Sequence, residues 1–448
     1  MKKYKISIIL CFLVVFATLF TPTASAYTPP PEVEVHAGSV YMVNLETNTV
    51  VYQKNATASI YPASVTKLMT ALVALEQTPD LTKTITVYDD VVDDLWNTGA
   101  ASAWLKPGEQ VTMEQLLNLL LIPSACDAAN VIAIEVSGSV EGFVALMNQK
   151  AAQLGMKNTV YVNPHGLHDD RQVTTAYDLY LLAKEIIQHP ELTKICSTVT
   201  YTLPKTNMSD ERTYTTTNYM INPSSSWYYK RVQGLKTGYT DAAGRNLVSL
   251  AEKDGQRYLS VVMNCPAEKL NGYDVHKEFD TTYDLLYWAF TELEYKNVIN
   301  TTQPVEEIKV TLCDETDYVK LVPEKEFFAM VPKQSQDNVI LVPHVTATTL
   351  EAPIEKGAVL GTATVMCAGE EIGTVNLVAQ TACERDTGSY LWDRTKKGVM
   401  AVLSSPWFYV PVLLLLSAII VLVVWNIRVN QRRRRLWQSK VRKNNDDR

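Results

Sequence analysis

The spacing of apolar residues divides residues 38 to about 295 into strand-like and helical segments. Residues 40–44 and 50–54 predict two strands joined by a polar turn. Apolar residues at helical spacing then predict helices at 64–76, 113–121, 127–136 and 175–188. Two more strands follow at 245–251 and 257–264, and a last helix follows at 278–294. Because strands from both ends of this stretch flank its helices, we predict an α/β (α+β) domain with one antiparallel sheet.

A different pattern begins at Pro304 and continues to about Glu384. Only short strand-like runs occur there, separated by Pro, Gly and charged turns, at 308–312, 339–342, 359–366 and 373–378. This pattern predicts a small all-β domain.

Two uninterrupted apolar runs lie near the ends of the chain. Residues 1–26 combine a basic start, the apolar run Ile8 to Phe20 and a small-residue Ala24-Ser25-Ala26 sequence, which predicts a cleaved secretory signal peptide. Residues 407–427 carry no charge, are long enough for one transmembrane helix and have aromatic residues near both ends. We therefore expect one membrane-spanning helix at the carboxyl-terminal end.

The pattern divides the mature chain into five parts. Residues 27–298 and 299–384 are the expected catalytic and β-rich domains, 385–406 a polar linker, 407–427 the membrane helix and 428–448 a basic tail.

Charge is distributed unevenly around that helix. The overall −7 combines +3 in the first five residues, +7 in residues 428–448 and −17 in the chain between them. Basic residues directly after a membrane helix are typical of its cytoplasmic side, so the acidic bulk is expected outside the cell. The acidic charge also argues against nucleic-acid binding, which depends on neutralising phosphates. The basic tail has a competing interpretation as a nucleic-acid patch, but its position beside an apolar helix favours the topological one.

Three short motifs carry candidate chemistry. Ser64 and Lys67 lie one helical turn apart, Ser124 opens a second motif with Cys126, and Lys236-Thr237-Gly238 forms a third. Each is weak alone, because a serine often caps a helix and a glycine-flanked segment suggests a turn. Their order and spacing are more specific, since 60 residues separate the two serines and 112 separate Ser124 from Lys236. This arrangement is typical of penicillin-binding proteins and serine β-lactamases.

On these motifs the chain resembles the D-alanyl-D-alanine carboxypeptidases, the low-molecular-mass penicillin-binding proteins among the serine peptidases. The resemblance covers residues 37 to 295 well and the β-rich segment more loosely. The phrases that carry it are Ala63-Ser64-Val65-Thr66-Lys67-Leu68-Met69-Thr70, Ser124-Ala125-Cys126-Asp127-Ala128-Ala129, Asn163-Pro164-His165-Gly166-Leu167, Thr174-Thr175-Ala176-Tyr177-Asp178-Leu179 and Gly234-Leu235-Lys236-Thr237-Gly238-Tyr239-Thr240.

The resemblance implies a covalent mechanism. Ser64 would attack the penultimate D-alanine of a peptidoglycan stem peptide, with Lys67 as base and Ser124 as proton relay. The substrate would be held by Lys236, Thr237, Gly238 and Cys126. The backbone N–H groups of Ser64 and Tyr239 would form the oxyanion hole.

The same resemblance implies the partners. These are stem peptides as substrates, β-lactam antibiotics as covalent inhibitors, and the cytoplasmic membrane. It implies no cofactor and no metal. His165 to Asp170 could imitate a metal cluster, but its glycine favours an ordinary loop and no zinc-type spacing occurs.

One position departs from the family pattern, because most members have asparagine where this chain has Cys126. Cysteine is a weak hydrogen-bonding group. The chain could therefore be a catalytically impaired wall-binding or sensor protein, although the intact serines and lysines favour a working enzyme. A β-lactamase is the other enzymatic alternative. It is disfavoured because the stretch Tyr161 to Asp170 lacks the glutamate that activates the deacylating water in class A enzymes.

Six cysteines remain after removal of the signal peptide, in an oxidising location. Cys126 is expected in the active-site cleft and is not assigned to a disulfide. One pair among Cys313, Cys367 and Cys383 is an open alternative.

Overall fold

A computed structural model describes residues 33–88, 95, 98–333, 339–367 and 370–446. The predicted signal peptide, residues 1–26, lies outside the described residues. The helices are α1 Lys67–Gln77, α2 Met113–Leu121, α3 Cys126–Ser137, α4 Val140–Gln153, α5 Ala176–Ile186, α6 Pro190–Cys196, α7 Lys277–Glu292, α8 Thr387–Ser404 and α9 Pro406–Asp446.

The first strands of the chain are β1 Ser39–Asn44, β2 Thr49–Lys54, β3 Thr84–Thr86, β4 Gln110–Thr112, β5 Thr200–Leu203, β6 Arg212–Thr215, β7 Val232–Thr240, β8 Gly244–Lys253, β9 Gln256–Cys265, β10 Glu268–Leu270 and β11 Tyr273–Val275. The later strands are β12 Leu293–Asn297, β13 Glu306–Thr311, β14 Tyr318–Pro323, β15 Phe328–Pro332, β16 Val339–Val345, β17 Thr349–Glu351, β18 Val359–Cys367 and β19 Glu370–Ala379.

A five-stranded antiparallel sheet with the order β2-β1-β9-β8-β7 joins the two ends of the catalytic segment. Strand β1 is buried on both faces, with Tyr41 and Val43 in one hydrophobic core and Val40 and Met42 in the other. This division follows from the alternation of side chains along a strand. The prediction of one antiparallel sheet built from both ends is confirmed.

The predicted helices occur with small shifts in their bounds. Helix α2 matches its predicted range because Thr112 and Gln115 form a capping box at its start. The helix predicted at 64–76 begins as a 3₁₀ turn, Ala63–Thr66, before the α-helix starts at Lys67. Helices α4 and α6 and the hairpin β5–β6 have no counterpart in the sequence prediction.

The described residues divide into two compact units. The first comprises residues of 1–300, 325–342 and 363–375, and the second those of 301–324, 343–362 and 376–448. In the second unit β13 pairs antiparallel with β14 and parallel with β17, and β14 pairs antiparallel with β19. These pairings agree with the predicted all-β domain.

A disulfide closes the second unit. It joins Cys313 to Cys383, which are 70 residues apart in the sequence. Two of the three candidate cysteines therefore form the disulfide that the sequence left open. Cys367 is free and buried.

The carboxyl-terminal segment is helical. The polar linker predicted at residues 385–406 contains helix α8, so most of this stretch is helical. In helix α9, residues Pro406–Ser439 form a segment long and apolar enough to cross a membrane.

Candidate active site

Ser64 lies in the 3₁₀ turn that leads into helix α1. Ala63, just before it, has a φ of +48°, a conformation uncommon for a residue with a side chain. Because Ser64 and Lys67 are one turn apart, their side chains share a face, and Lys67 Nζ lies 2.9 Å from Ser64 Oγ. The turn therefore brings the predicted nucleophile and base into direct contact.

Two glycines let other backbone segments approach this turn. A Cβ at Gly166, whose φ is +86°, would lie 2.0 Å from the carbonyl oxygen of Ala63. A Cβ at Gly238 would lie 3.1 Å from the backbone nitrogen of Ser64. Side chains at these glycines would push the strand β7 or the loop at Gly166 away from Ser64.

Lys67 is fully buried and has three polar contacts. Its Nζ lies 2.9 Å from Ser64 Oγ, 2.5 Å from the carbonyl oxygen of His165 and 3.4 Å from Cys126 Sγ. Burial lowers the pKa of Lys67, and interactions with Cys126 and Asp127 oppose that change. The loss of water around a buried ammonium group disfavours its charge, so the environment favours the neutral amine that a base requires.

Lys236 is the second buried lysine of the site. It lies on strand β7 and donates a hydrogen bond to the carbonyl oxygen of Thr237 at 3.0 Å. Burial, followed by the positive charge of Lys67, lowers the pKa of Lys236 to about 7. Lys67 therefore contributes to the lower pKa of Lys236, although burial is the main cause of the lower pKa in both lysines.

The Lys236-Thr237-Gly238 motif forms part of an extended strand instead of the turn that its glycines suggest. Thr237 pairs in register with Leu247 and Gly238 with Asn246. The hydroxyls of Thr237 and Thr217 share a hydrogen bond. Tyr239 is 47% exposed, and its hydroxyl donates to Asp241 at 2.6 Å.

Ser124 and Cys126 lie at the start of helix α3. Ser124 has a φ of +67°, and its buried hydroxyl has no hydrogen-bond partner among the described residues. The N–H of Cys126 donates to the carbonyl oxygen of Ala101 at 2.8 Å, which fixes the start of the helix. The free thiol of Cys126 contacts Lys67, the catalytic lysine in the expected mechanism.

The structure adds a supporting loop whose role the sequence reasoning missed. Asn163 Oδ1 accepts from the N–H of Gly166 at 2.7 Å, and Gln172 Oε1 accepts from the N–H of Asn163 at 2.9 Å. These bonds shape the loop that directs the His165 carbonyl to Lys67. The sequence Asn163 to Leu167 is among those that carry the family resemblance, but a backbone carbonyl contact gives no signal in side-chain patterns.

Asn246 is a second supporting residue that the sequence reasoning missed. Its amide nitrogen donates to the carbonyl oxygens of Tyr61 at 3.2 Å and Pro62 at 3.3 Å. This amide connects strand β8 to the residues that precede Ser64.

The predicted loop at His165 to Asp170 forms internal contacts. His165 Nδ1 accepts from the N–H of Leu167 at 3.1 Å, and burial lowers the pKa of His165 to about 3. Among the described residues, Glu76, Glu185 and His189 have ligand atoms within 4.8 Å of one another, and Glu76 is paired with Lys150. None of these three is a predicted site residue.

Comparison with known protein families identifies the family of this chain. The profile of the D-alanyl-D-alanine carboxypeptidase family, Peptidase S11, matches residues 23–267, more than half of the chain. The chain belongs to this family. The profile of the penicillin-binding protein 5 C-terminal domain matches residues 293–385 of the carboxypeptidase.

Named relatives agree with this assignment. The chain is 30% identical to D-alanyl-D-alanine carboxypeptidase DacF of Bacillus subtilis, over 78% of this chain and 86% of the relative. It is 30% identical to DacC of Escherichia coli, over 80% of this chain and 87% of the relative. The structure of penicillin binding protein 5 from Haemophilus influenzae matches with a TM-score of 0.56 and 28% identity, covering 80% of this chain and 100% of that one. The predicted family, fold and enzyme class are confirmed.

Proposed function

We propose that this serine carboxypeptidase removes the terminal D-alanine from peptidoglycan stem peptides through an acyl-enzyme on Ser64. The observation that carries the proposal is the 2.9 Å contact between Ser64 Oγ and the Nζ of the fully buried Lys67. A serine hydroxyl is a weak nucleophile until a neighbouring base accepts its proton.

The contacts of Lys67 support its role as that base. A neutral amine has two N–H donors and one lone pair. The N–H donors match the carbonyl oxygen of His165 and the sulfur of Cys126, which leaves the lone pair for the hydroxyl of Ser64. Proton transfer to Lys67 accompanies formation of the bond between Ser64 Oγ and the substrate carbonyl carbon.

The remaining polar groups of the site bind the terminal D-alanine and protonate it as it leaves. Lys236 and Thr237 bind the terminal carboxylate, next to Gly238, and Cys126 contributes to substrate binding. As the C–N bond breaks, the D-alanine nitrogen takes a proton from Lys67 through the hydroxyl of Ser124. The unpartnered, buried Ser124 hydroxyl supports this relay because it has no competing bond among the described residues.

The backbone N–H groups of Ser64 and Tyr239 form the oxyanion hole in this proposal. The closeness of Gly238 to the backbone nitrogen of Ser64 supports it, because Tyr239 follows Gly238 on strand β7. A water molecule then adds to the acyl carbon, and Ser64 regains its proton.

A β-lactam acylates the same serine and is released slowly, because the stretch from Tyr161 to Asp170 offers no glutamate to activate water. β-Lactams are therefore covalent inhibitors in this proposal. Rapid turnover of nitrocefin would support the β-lactamase alternative instead.

We also propose that the enzyme is a single-pass protein of the bacterial cell membrane. Helix α9 provides the span, and the basic residues Arg428 and Arg432 to Arg435, directly after the apolar stretch, support a cytoplasmic carboxyl terminus. The catalytic unit then faces the cell wall.

Purified full-length chain in detergent tests the proposed function. We expect D-alanine release from a pentapeptide and a stable penicillin adduct located on Ser64 by mass spectrometry, and neither in the Ser64→Ala variant. Penicillin labelling without D-alanine release would favour the impaired wall-binding or sensor protein that Cys126 suggests. Labelling that is the same in wild type and Ser64→Ala would contradict the proposal.

A further inference from the structure

Trp104 combines exposure with an unusual backbone conformation. Its side chain is 71% exposed, whereas its neighbours Ala103 and Leu105 are buried. Its φ is +58°, in the left-handed region that bulky residues rarely adopt. A large apolar residue in a strained position that packs little against the core is a reason to look for a function.

The backbone of Trp104 is held on one side by Asp127. This carboxylate is 1% exposed and accepts hydrogen bonds from the N–H groups of Ala103 at 3.0 Å and Leu105 at 3.1 Å. Ser102 donates its hydroxyl to Asp127 at 2.8 Å and accepts from the N–H of Trp104 at 2.9 Å. The strained residue is thus fixed from both neighbours.

Arg212 holds the other side of the same segment. It donates to the carbonyl oxygens of Ala103 at 3.1 Å and Trp104 at 2.7 Å, and it pairs with the fully buried Glu109. The hydroxyl of Tyr214 also donates to the carbonyl of Ala103 at 2.6 Å. Every backbone polar group of residues 103 and 104 is therefore occupied, and the indole is displayed from a rigid support.

This support is joined to the candidate active site. The carbonyl of Ala101, three residues before Trp104, accepts from the N–H of Cys126. Asp127, which holds the Trp104 segment, follows Cys126 directly in helix α3. Three residues span at most about 11 Å between Cα atoms, so Trp104 lies within reach of a short extended peptide that leaves the site.

We propose that Trp104 is a specificity-determining residue that binds the stem peptide on the amino-terminal side of the penultimate D-alanine. This inference rests on the proposed function, which places the terminal carboxylate at Lys236 and Thr237. The acyl part of the substrate then extends away from those residues, past Cys126. The exposed indole face contacts aliphatic side chains of the peptide, because an aromatic ring offers a large, stiff apolar surface.

Such a contact lies remote from the bond that is cleaved. Binding energy from a remote part of a substrate can be used at the reacting centre, so the contact is expected to raise kcat/KM for long substrates. A dipeptide substrate that lacks the preceding residues cannot use it.

The test compares three substrates of the detergent-solubilised full-length enzyme: a disaccharide-pentapeptide, the free pentapeptide and N-acetyl-D-alanyl-D-alanine. We expect Trp104→Ala to lower kcat/KM about tenfold for both pentapeptide substrates, and less than twofold for the dipeptide. Trp392→Ala is the matched control, since Trp392 is 73% exposed on helix α8, and it should leave all three values unchanged.

A glycine variant separates binding from folding. Trp104→Gly should show the same selective loss as Trp104→Ala, while its thermal midpoint stays equal to or above that of the wild type, because glycine adopts a positive φ without strain. Partial recovery by Trp104→Phe would support an aromatic contact.

The outcomes distinguish this inference from the proposed function. An equal loss for pentapeptide and dipeptide, or no loss for the pentapeptide, would overturn it while D-alanine release by the wild type still supported the proposed function. A loss confined to the disaccharide substrate would overturn it in favour of a sugar contact. Absence of D-alanine release by the wild type from every substrate would refute both.

Discussion

The unit that contains Ser64 buries ionisable side chains, whereas the described residues of the second unit include no such buried side chain. Lys67, Lys236, Glu109 and Asp127 are all almost fully inaccessible to solvent. In the second unit the buried residues that the structure describes are apolar, and strand β13 alternates inward and outward positions. The second unit also has the disulfide.

This difference shows what each unit is built to do. Burial of a charged group costs free energy, so natural cores avoid it unless the group is paired or has a task. In the first unit burial lowers the pKa of two lysines, and shifted pKa values are typical of catalytic sites. In the second unit the described buried side chains are apolar, as in an ordinary structural core.

The largest expected effect comes from Lys67→Met, which replaces the buried amine with an apolar side chain of similar length. We expect D-alanine release to fall roughly a thousandfold or more, because the base is lost. The thermal midpoint should not fall, because the apolar methionine side chain avoids the cost of burying a polar amine, which offsets the lost hydrogen bonds. Release assays and calorimetry check the two parts, with Ser64→Ala as the control for activity. Destabilisation as large as that of a core cavity would show that burial of Lys67 is not costly.

Removal of the disulfide tests the other unit. Cys313→Ser combined with Cys383→Ser should lower the free energy of unfolding of the second unit by about 2–5 kcal/mol, because the bridge closes a long loop. Labelling of Ser64 by a fluorescent penicillin at 25 °C should stay unchanged. Calorimetry and a labelling gel measure the two effects, and wild-type protein under reducing conditions is the control. Loss of labelling in the folded variant would mean that the site depends on the second unit.

The pH dependence of kcat/KM tests the electrostatics of the first unit. Lys236 must be protonated to attract the substrate carboxylate, and its pKa is lowered to about 7. Above that pH the protonated fraction declines, so kcat/KM should fall about tenfold per pH unit on the alkaline side. Lys236→Arg should move this decline to higher pH, because arginine stays charged. The exposed Lys230→Arg is the control and should leave the profile unchanged. An identical alkaline decline in Lys236→Arg would assign it to another group.

The smallest expected effect concerns Cys126. Cys126→Asn should raise kcat/KM for the pentapeptide by up to about tenfold, because an amide forms stronger hydrogen bonds than a thiol. Steady-state D-alanine release measures it, and Cys126→Ala controls for loss of the sulfur contact with Lys67. A lower rate in Cys126→Asn, with an unchanged melting temperature, would show that the site is adapted to cysteine.

Local patterns allowed much of the fold to be predicted. The hairpin β8–β9 and helix α7 were found from alternation and helical spacing, and their bounds lie within a few residues of the structure. The contact between Ser64 and Lys67 was also predictable, because three residues of separation place both side chains on one helical face.

Non-local features were beyond such patterns. Taken alone, the segment Gly234 to Thr240 suggests a turn because of its glycines, yet it lies in strand β7, which forms through pairing with β8. Gly238 in that strand, and Gly166 in a separate loop, instead allow the backbone to lie close to the Ser64 turn. The contact of Lys67 with the carbonyl of His165 and the hydrogen bonds that hold Trp104 involve backbone groups. Every residue type carries these groups, so the sequence gives no sign of such contacts.

The sequence by itself determined the family, the motif residues and the elements with clear periodicity, because these depend on residue identity and local spacing. Tertiary structure decided that Lys67 and Lys236 are buried near each other, that the Ser124 hydroxyl is unpartnered among the described residues, and that Trp104 is displayed. The physical reason is that pKa values, hydrogen-bond satisfaction and exposure are set by neighbours that lie far apart in the chain.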